Sequence, residues 1–168
     1  MPTSKKTKII LGIDPGYAIT GFGVLRYEKN ACAVLTYGVI TSSPKERFSK
    51  RLERIHVELQ KTIRKYKPDI IAIEKLFFAK NTKTALQVGE ARGIAILAAE
   101  QNKKTIKEFT PLQIKQALTG YGFASKNQIQ KMVQRILKLK SSPKPDDAAD
   151  ALAVALCCGQ TKTFFNSL

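Results

Sequence analysis

Four acidic side chains stand where strands end and a helix begins. Asp14 closes the apolar run "KIILGID", Glu74 closes "PDIIAIE", and Asp147 and Asp150 lie in "SSPKPDDAADALAVALCC". That last stretch, 141–158, holds three of the five aspartates in the chain. Helix capping accounts for Asp146 or Asp147, since a carboxylate at a helix start satisfies free N–H groups and suits the dipole. It does not account for Asp150, one turn further on and on the face of Asp147 by i,i+3 spacing. Like charges so arranged repel, so an opposing cation is expected nearby. All-oxygen donors without histidine or cysteine favour Mg²⁺ or Mn²⁺ over zinc. Four carboxylates can hold two such ions, which clamp the attacking and leaving oxygens of an in-line phosphoryl displacement.

The acids meet only if the elements around them bring them together. "KIILGID" is apolar on both faces and reads as a central strand; Pro15 and Gly16 break it and bias Asp14 towards an extended conformation. "TGFGVLRY" and "ACAVLTYGVI" read as two more strands, joined by a turn at Lys29-Asn30, and the short connections make the three an antiparallel meander. Leu52, Ile55, Leu59 and Ile63 recur at helical spacing over 44–66. A buried strand then ends at Glu74, a helix covers 79–100, and "TIKEF" reads as a fifth strand. Short helices are expected over 111–118 and 126–139, and the last over 146–158. The order βββαβα(β)ααα predicts one α/β domain, with 1–7 and 160–168 as tails. If the strands ending at Asp14 and Glu74 are adjacent and parallel, both carboxylates emerge at one carboxyl edge, where open α/β sheets place their sites.

Composition narrows the partners. In 168 residues, 29 Lys and Arg oppose 13 Asp and Glu, a formal charge of +16. Such an excess suits phosphate backbones. No lipidation motif, signal core or apolar run of spanning length is present, so a membrane partner is not expected. Cys32, Cys157 and Cys158 form no CxxC pair and are read as reduced thiols, which fits a cytoplasmic protein. His56, the one histidine, is read as a solvated surface residue.

"ILGIDPGYAITGFGV", "IAIEKLFFAKN", "LQVGEARGIAI" and "DDAADALAVA", in that order, closely resemble the RuvC family of bacterial Holliday-junction resolvases. The resemblance spans about 9–158. It implies a ribonuclease-H-like fold, with a five-stranded mixed sheet of three antiparallel then two parallel strands flanked by helices. It also implies a homodimer, Mg²⁺-dependent cleavage of four-way DNA junctions during recombination and repair, and a nucleoid-associated cytoplasmic location. Paired symmetric nicks leaving 5′-phosphate and 3′-hydroxyl ends, and a branch-migration helicase as partner, follow from the same likeness. The family's catalytic and metal-holding acids fall on Asp14, Glu74, Asp147 and Asp150. Its lysines near the scissile phosphate fall on Lys115 and Lys126, which alone would be read as solvated charges. Asp146 is an extra acid, assigned to capping, with work beside the site as the alternative.

"EKLFFAKN" places two aromatics before a basic stretch. Two adjacent aromatics usually mean that at least one is core; the family puts a base-stacking phenylalanine at the position matching Phe77, and Lys80 and Lys83 on the basic stretch are read as DNA-binding. Phe164 and Phe165 are assigned to tail packing. The rivals are a ribonuclease-H-like enzyme acting on RNA and a junction-binding protein without catalysis; an actin-like ATPase would need a second domain. The small-residue run "GIAILAA" is the candidate dimer helix.

Overall fold

The computed structural model describes residues 7–28, 31–75 and 82–161. Its five strands are β1 (Thr7–Asp14), β2 (Ile19–Glu28), β3 (Ala31–Thr41), β4 (Ile70–Glu74) and β5 (Thr105–Phe109). They lie in the order β3-β2-β1-β4-β5. β1 and β2, and β2 and β3, pair antiparallel, whereas β1–β4 and β4–β5 are parallel. This is the expected mixed sheet, and it makes β1 and β4 neighbours.

The helices are α1 (Phe48–Tyr66), α2 (Thr82–Gln101), α3 (Pro111–Thr119), α4 (Lys126–Ile136) and α5 (Asp146–Gln160). Period-two alternation along the strands sorts them onto two faces. Leu11, Ile13, Val24, Ile71 and Ile73 pack against Ile55, Leu59 and Ile63 of α1 and the alanines Ala91, Ala95, Ala98 and Ala99 of α2. Ile10, Leu25, Ile70 and Ala72 point the other way, into a second core with α3, α4 and α5. Asp14 and Glu74 continue this second series, two residues beyond Gly12 and Ala72, so the alternation turns both towards α5.

α5 lies unusually close to the sheet. A Cβ on Gly12 would stand 2.1 Å from the Ala151 carbonyl oxygen, and one on Gly21 would stand 2.0 Å from that of Asp147. Only glycine leaves room for backbone against backbone here. Ala148, Ala149, Ala151, Ala153 and Ala155 on the helix are buried, so small residues line both sides of the contact.

Some boundaries differ from the sequence reading. α1 starts at Phe48, not 44, because Ser43 to Glu46 form a turn in which the Ser43 N–H donates to Glu46 Oε2 at 3.0 Å. α4 stops at Ile136, not 139, where Lys138 takes a left-handed φ of 52°. Thr7 opens β1 and Gln160 closes α5, so neither belongs to a tail. Thr161 follows as the C-cap of α5, while residues 1–6 and 162–168, including Phe164 and Phe165, and the Lys29-Asn30 turn lie outside the described residues. His56 is half-buried rather than solvated, with Nε2 2.7 Å from Gln101 Oε1 across α1 and α2. Cys32 is half-buried and Cys157 and Cys158 are buried; all are free, and burial pushes their thiols up to about 11, 11 and 12. Such thiols are poor nucleophiles at neutral pH. No helix among the described residues is long and apolar enough to cross a membrane.

Candidate active site

Each wall of the site is set by short-range chemistry. The β1–β4 register pairs Ile13 with Ile73, so Asp14 and Glu74 come next on neighbouring parallel strands. After Asp14 the chain turns at Gly16, where a Cβ would stand 2.2 Å from the Ile19 carbonyl oxygen. The Thr20 hydroxyl closes this turn by donating to the Gly16 carbonyl at 2.6 Å. α3 and α4 begin with matching capping boxes. The Thr110 and Ser125 side chains accept from the backbone N–H of Gln113 and Gln128, and each glutamine side chain answers the cap's own N–H. Ser125 thereby fixes Lys126 as the first helical residue of α4.

These walls enclose a cleft of about 200 Å³ lined by Glu74, Lys115, Lys126 and Asp150, with Pro111, Ile114, Ile129 and Ala153 as its apolar lining. Lys126 Nζ lies 3.1 Å from Asp150 and 3.7 Å from Asp146. Asp146 in turn pairs with Lys144 at 2.8 Å. The cap of α5 is Pro145, and no side chain closes it by hydrogen bonding. Asp146 therefore does not cap; it sits in the first turn, favourable to the dipole, and helps hold Lys126.

The electrostatics mark this as a place of crowded negative charge. Burial, then the charges of Glu74, Asp150 and Asp147 and a hydrogen bond with Glu74, push Asp14 well above the usual carboxylate range. Burial likewise raises Glu74, with Asp150 adding to it and the bond to Asp14 opposing it. Burial raises Asp150 against the pull of Lys126. For Lys126 burial acts downward, but the hydrogen bond and charge of Asp150, with Asp146 and Asp147, hold the ammonium above its ordinary value. Carboxylates shifted this way cluster at functional sites.

The donor set suits a hard divalent cation, because desolvated carboxylates without enough counter-charge are what such an ion neutralises. As the side chains stand, no three acidic, histidine or cysteine groups among the described residues converge tightly enough to enclose one. Asp150 is turned to Lys126.

The structure thus brings together all four predicted acids with Lys115 and Lys126. Phe77, Phe78 and Lys80 lie outside the described residues, and Lys83 falls in the first turn of α2. Sequence reasoning missed the apolar lining, Pro111, Ile114, Ile129 and Ala153. It also missed the capping boxes, which "TPLQ" and "SKNQ" carry openly.

Comparison with known proteins agrees with this geometry. The family model described as crossover junction endodeoxyribonuclease RuvC matches residues 10–158. A crossover junction endodeoxyribonuclease RuvC of Ruminiclostridium cellulolyticum is 56% identical over 153 residues, covering 91% of this chain and 92% of the relative. One from Alkaliphilus oremlandii is 54% identical over 93% of this chain and 95% of its own. Among solved structures, Thermus thermophilus RuvC superposes with a TM-score of 0.85 at 35% identity, over 90% of this chain and 93% of that one. The same protein in complex with a Holliday junction substrate gives 0.83 at 33% identity, over the same shares. With its acids at the carboxyl edge of a ribonuclease-H-like sheet and a match running over residues 10–158, the chain belongs to the RuvC family of crossover junction endodeoxyribonucleases.

Proposed function

We propose that this chain is a homodimeric endonuclease that resolves four-way DNA junctions in recombination and repair. It hydrolyses one phosphodiester per subunit and leaves 5′-phosphate and 3′-hydroxyl ends. The observation that carries the reading is a cleft lined by Glu74, Asp150, Lys115 and Lys126, with Asp14 and Asp147 close enough to feel the charge of its acids. The rest of the chain supplies the positive field that draws in DNA, from its +16 charge.

Metal-dependent hydrolysis goes with this family. Here the ion is Mg²⁺, with Mn²⁺ able to replace it and two ions per site, held by Asp14, Glu74, Asp147 and Asp150. Bound there, such an ion would polarise the scissile phosphate and lower the pKa of a bound water. The chain's own groups do the rest. Asp14 and Glu74, fixed on neighbouring strands, would hold the ion that offsets their charge and the phosphate's. Lys126, paired with Asp150 in the cleft, would set its ammonium against the phosphate. Lys115, on the opposite wall, adds a second cation against the charge that develops at the phosphorus.

A two-fold dimer matches the symmetry of a four-way junction and provides two sites for two cuts. Support comes from α2, where Leu86 is 71% exposed and Leu97 is 47% exposed. They share a helix face with Gly93, whose Cβ position is open. Phe77 is assigned to stacking on unpaired bases beside the cut, with Lys80 and Lys83 on the phosphates. The working location is the cytoplasm beside the nucleoid, with a branch-migration helicase as partner.

The test is incubation with a synthetic four-way junction, with and without Mg²⁺, and mapping of the cut strands. Paired symmetric nicks that need the ion are expected. Equal cutting of linear duplex or of RNA, or binding without any nick, would overturn the proposal.

A further inference from the structure

The connection between α3 and α4 presents two bare aromatic rings that the catalytic cleft does not use. Phe123 is 81% exposed and Tyr121 is 57% exposed, and their rings lie 5.7 Å apart, tilted by 57°. Two neighbouring rings this exposed offer an apolar contact surface.

The loop is well fixed. Gly120 takes the left-handed φ of 72° that ends α3, and its N–H donates to the Gln116 carbonyl at 2.9 Å. The Tyr121 N–H donates to the Thr119 hydroxyl at 3.1 Å, while that hydroxyl lies 2.7 Å from the Lys115 carbonyl. The Ala124 N–H donates to the Tyr121 carbonyl at 3.3 Å. Gly122 packs so close to Leu112 that a Cβ would stand 2.4 Å from Cδ1. The rings are held in place ahead of any contact, which lowers the cost of making one.

Their surroundings indicate the partner. Tyr121 lines a groove with Thr119, Gln128, Lys131 and Arg135, and no acid lines it. Phe123 is three residues before Lys126, whose ammonium enters the catalytic cleft. The groove and the cleft share α4. Rings on a basic surface that continues from the site of phosphate chemistry fit nucleobases, because every base offers a π-face and the cations take its phosphate.

Resting on the junction-cutting reading, we infer that Tyr121 and Phe123 form a stacking platform for a nucleotide flanking the scissile phosphate, with Lys131 and Arg135 on its backbone. This platform lies on the α3–α4 side of the cleft. It positions the strand and takes no part in bond breaking.

The test compares the full-length parent with Tyr121→Ser/Phe123→Ser and with Phe123→Trp. The probes are junctions carrying a single 2-aminopurine at successive positions on either side of the mapped cut. The parent is expected to quench one flanking position. The double variant should lose that quench and bind and cut the junction about 5- to 150-fold less well. Its melting temperature and elution volume should stay parental, and Phe123→Trp should quench and cut like the parent. Parental binding, cutting and quenching by the double variant would overturn the inference. A shifted elution volume would also overturn it, assigning the rings to a contact between chains. Should the parent fail to cut junctions at all, the proposed function falls. The platform then still stands if quenching on DNA depends on the two rings, and falls with it if it does not.

Discussion

The two faces of the sheet are built by different rules. Against α1 and α2, branched side chains such as Ile71 and Ile73 meet Ile55, Leu59 and Ile63, and burial of bulk holds the layers together. Against α5, glycine and alanine bring backbone onto backbone at Gly12 and Gly21. The second arrangement gains less from burial, but it sets Asp147 and Asp150 beside Asp14 with almost no slack. Gly21 pairs with Asp14 across the β1–β2 ladder and faces the Asp147 carbonyl, so one residue gauges the distance between two acids. One face supplies stability and the other supplies position.

The largest expected effect breaks this contrast at Gly21. Gly21→Val forces its Cβ into the Asp147 carbonyl and lifts α5 off the strand. Overpacking of this kind costs about 1–3 kcal/mol. The protein should still fold, but junction cleavage should fall to background, as scored by circular dichroism and a nicking assay. Ile71→Ala on the other face should cost about 2–5 kcal/mol of stability. Cleavage per folded molecule should nevertheless remain near parental. If Gly21→Val nicked normally, or if both variants lost cleavage only in proportion to unfolding, the two faces would not differ as described.

Much of this was legible in the sequence, and the gaps have physical causes. Asp14 and Glu74 were legible because each closes an apolar run, and the short β1–β2–β3 connections left little choice of topology. The glycines "ILGID" and "TGFG" were visible, but their meaning was not. A close backbone approach depends on which helix covers them, and that is a tertiary fact. The contact of Lys126 with Asp150 joins residues 24 positions apart on two helices, so no local spacing announces it. Asp146 was misassigned because Pro145 takes the cap, and the carboxylate reaches Lys144 and Lys126 instead. Phe77 was marked by family likeness, whereas Tyr121 and Phe123 became notable only once their exposure was measured.

A smaller effect sharpens the comparison through stability itself. Burial and the neighbouring acids raise the folded-state pKa of Asp14, so the folded protein holds a proton that the unfolded chain releases. This contribution is fully favourable below the unfolded carboxylate pKa. It is lost as pH climbs through the raised one, leaving the ion-free protein strained at neutral pH. Asp14→Asn should therefore melt a few degrees higher than the parent at pH 7 in EDTA. The gap should close towards the acidic side of the unfolded carboxylate range, as differential scanning calorimetry would record. Lower melting for Asp14→Asn at neutral pH would place the source of strain elsewhere.

Cleavage and binding by Asp14→Asn on one four-way junction test the central claim most directly, that the acids do the chemistry while the cations hold the DNA. The measurement is single-turnover nicking in Mg²⁺ beside a titration of junction affinity at the same salt. Loss of one charge from the metal clamp predicts cleavage slower by about 10³-fold or more, since such a clamp contributes several kcal/mol at the transition state. Affinity should stay within a few-fold of the parent, because phosphate contacts rest on lysine and arginine. Nicking near the parental rate, or loss of cleavage only in step with loss of binding, would contradict the assignment.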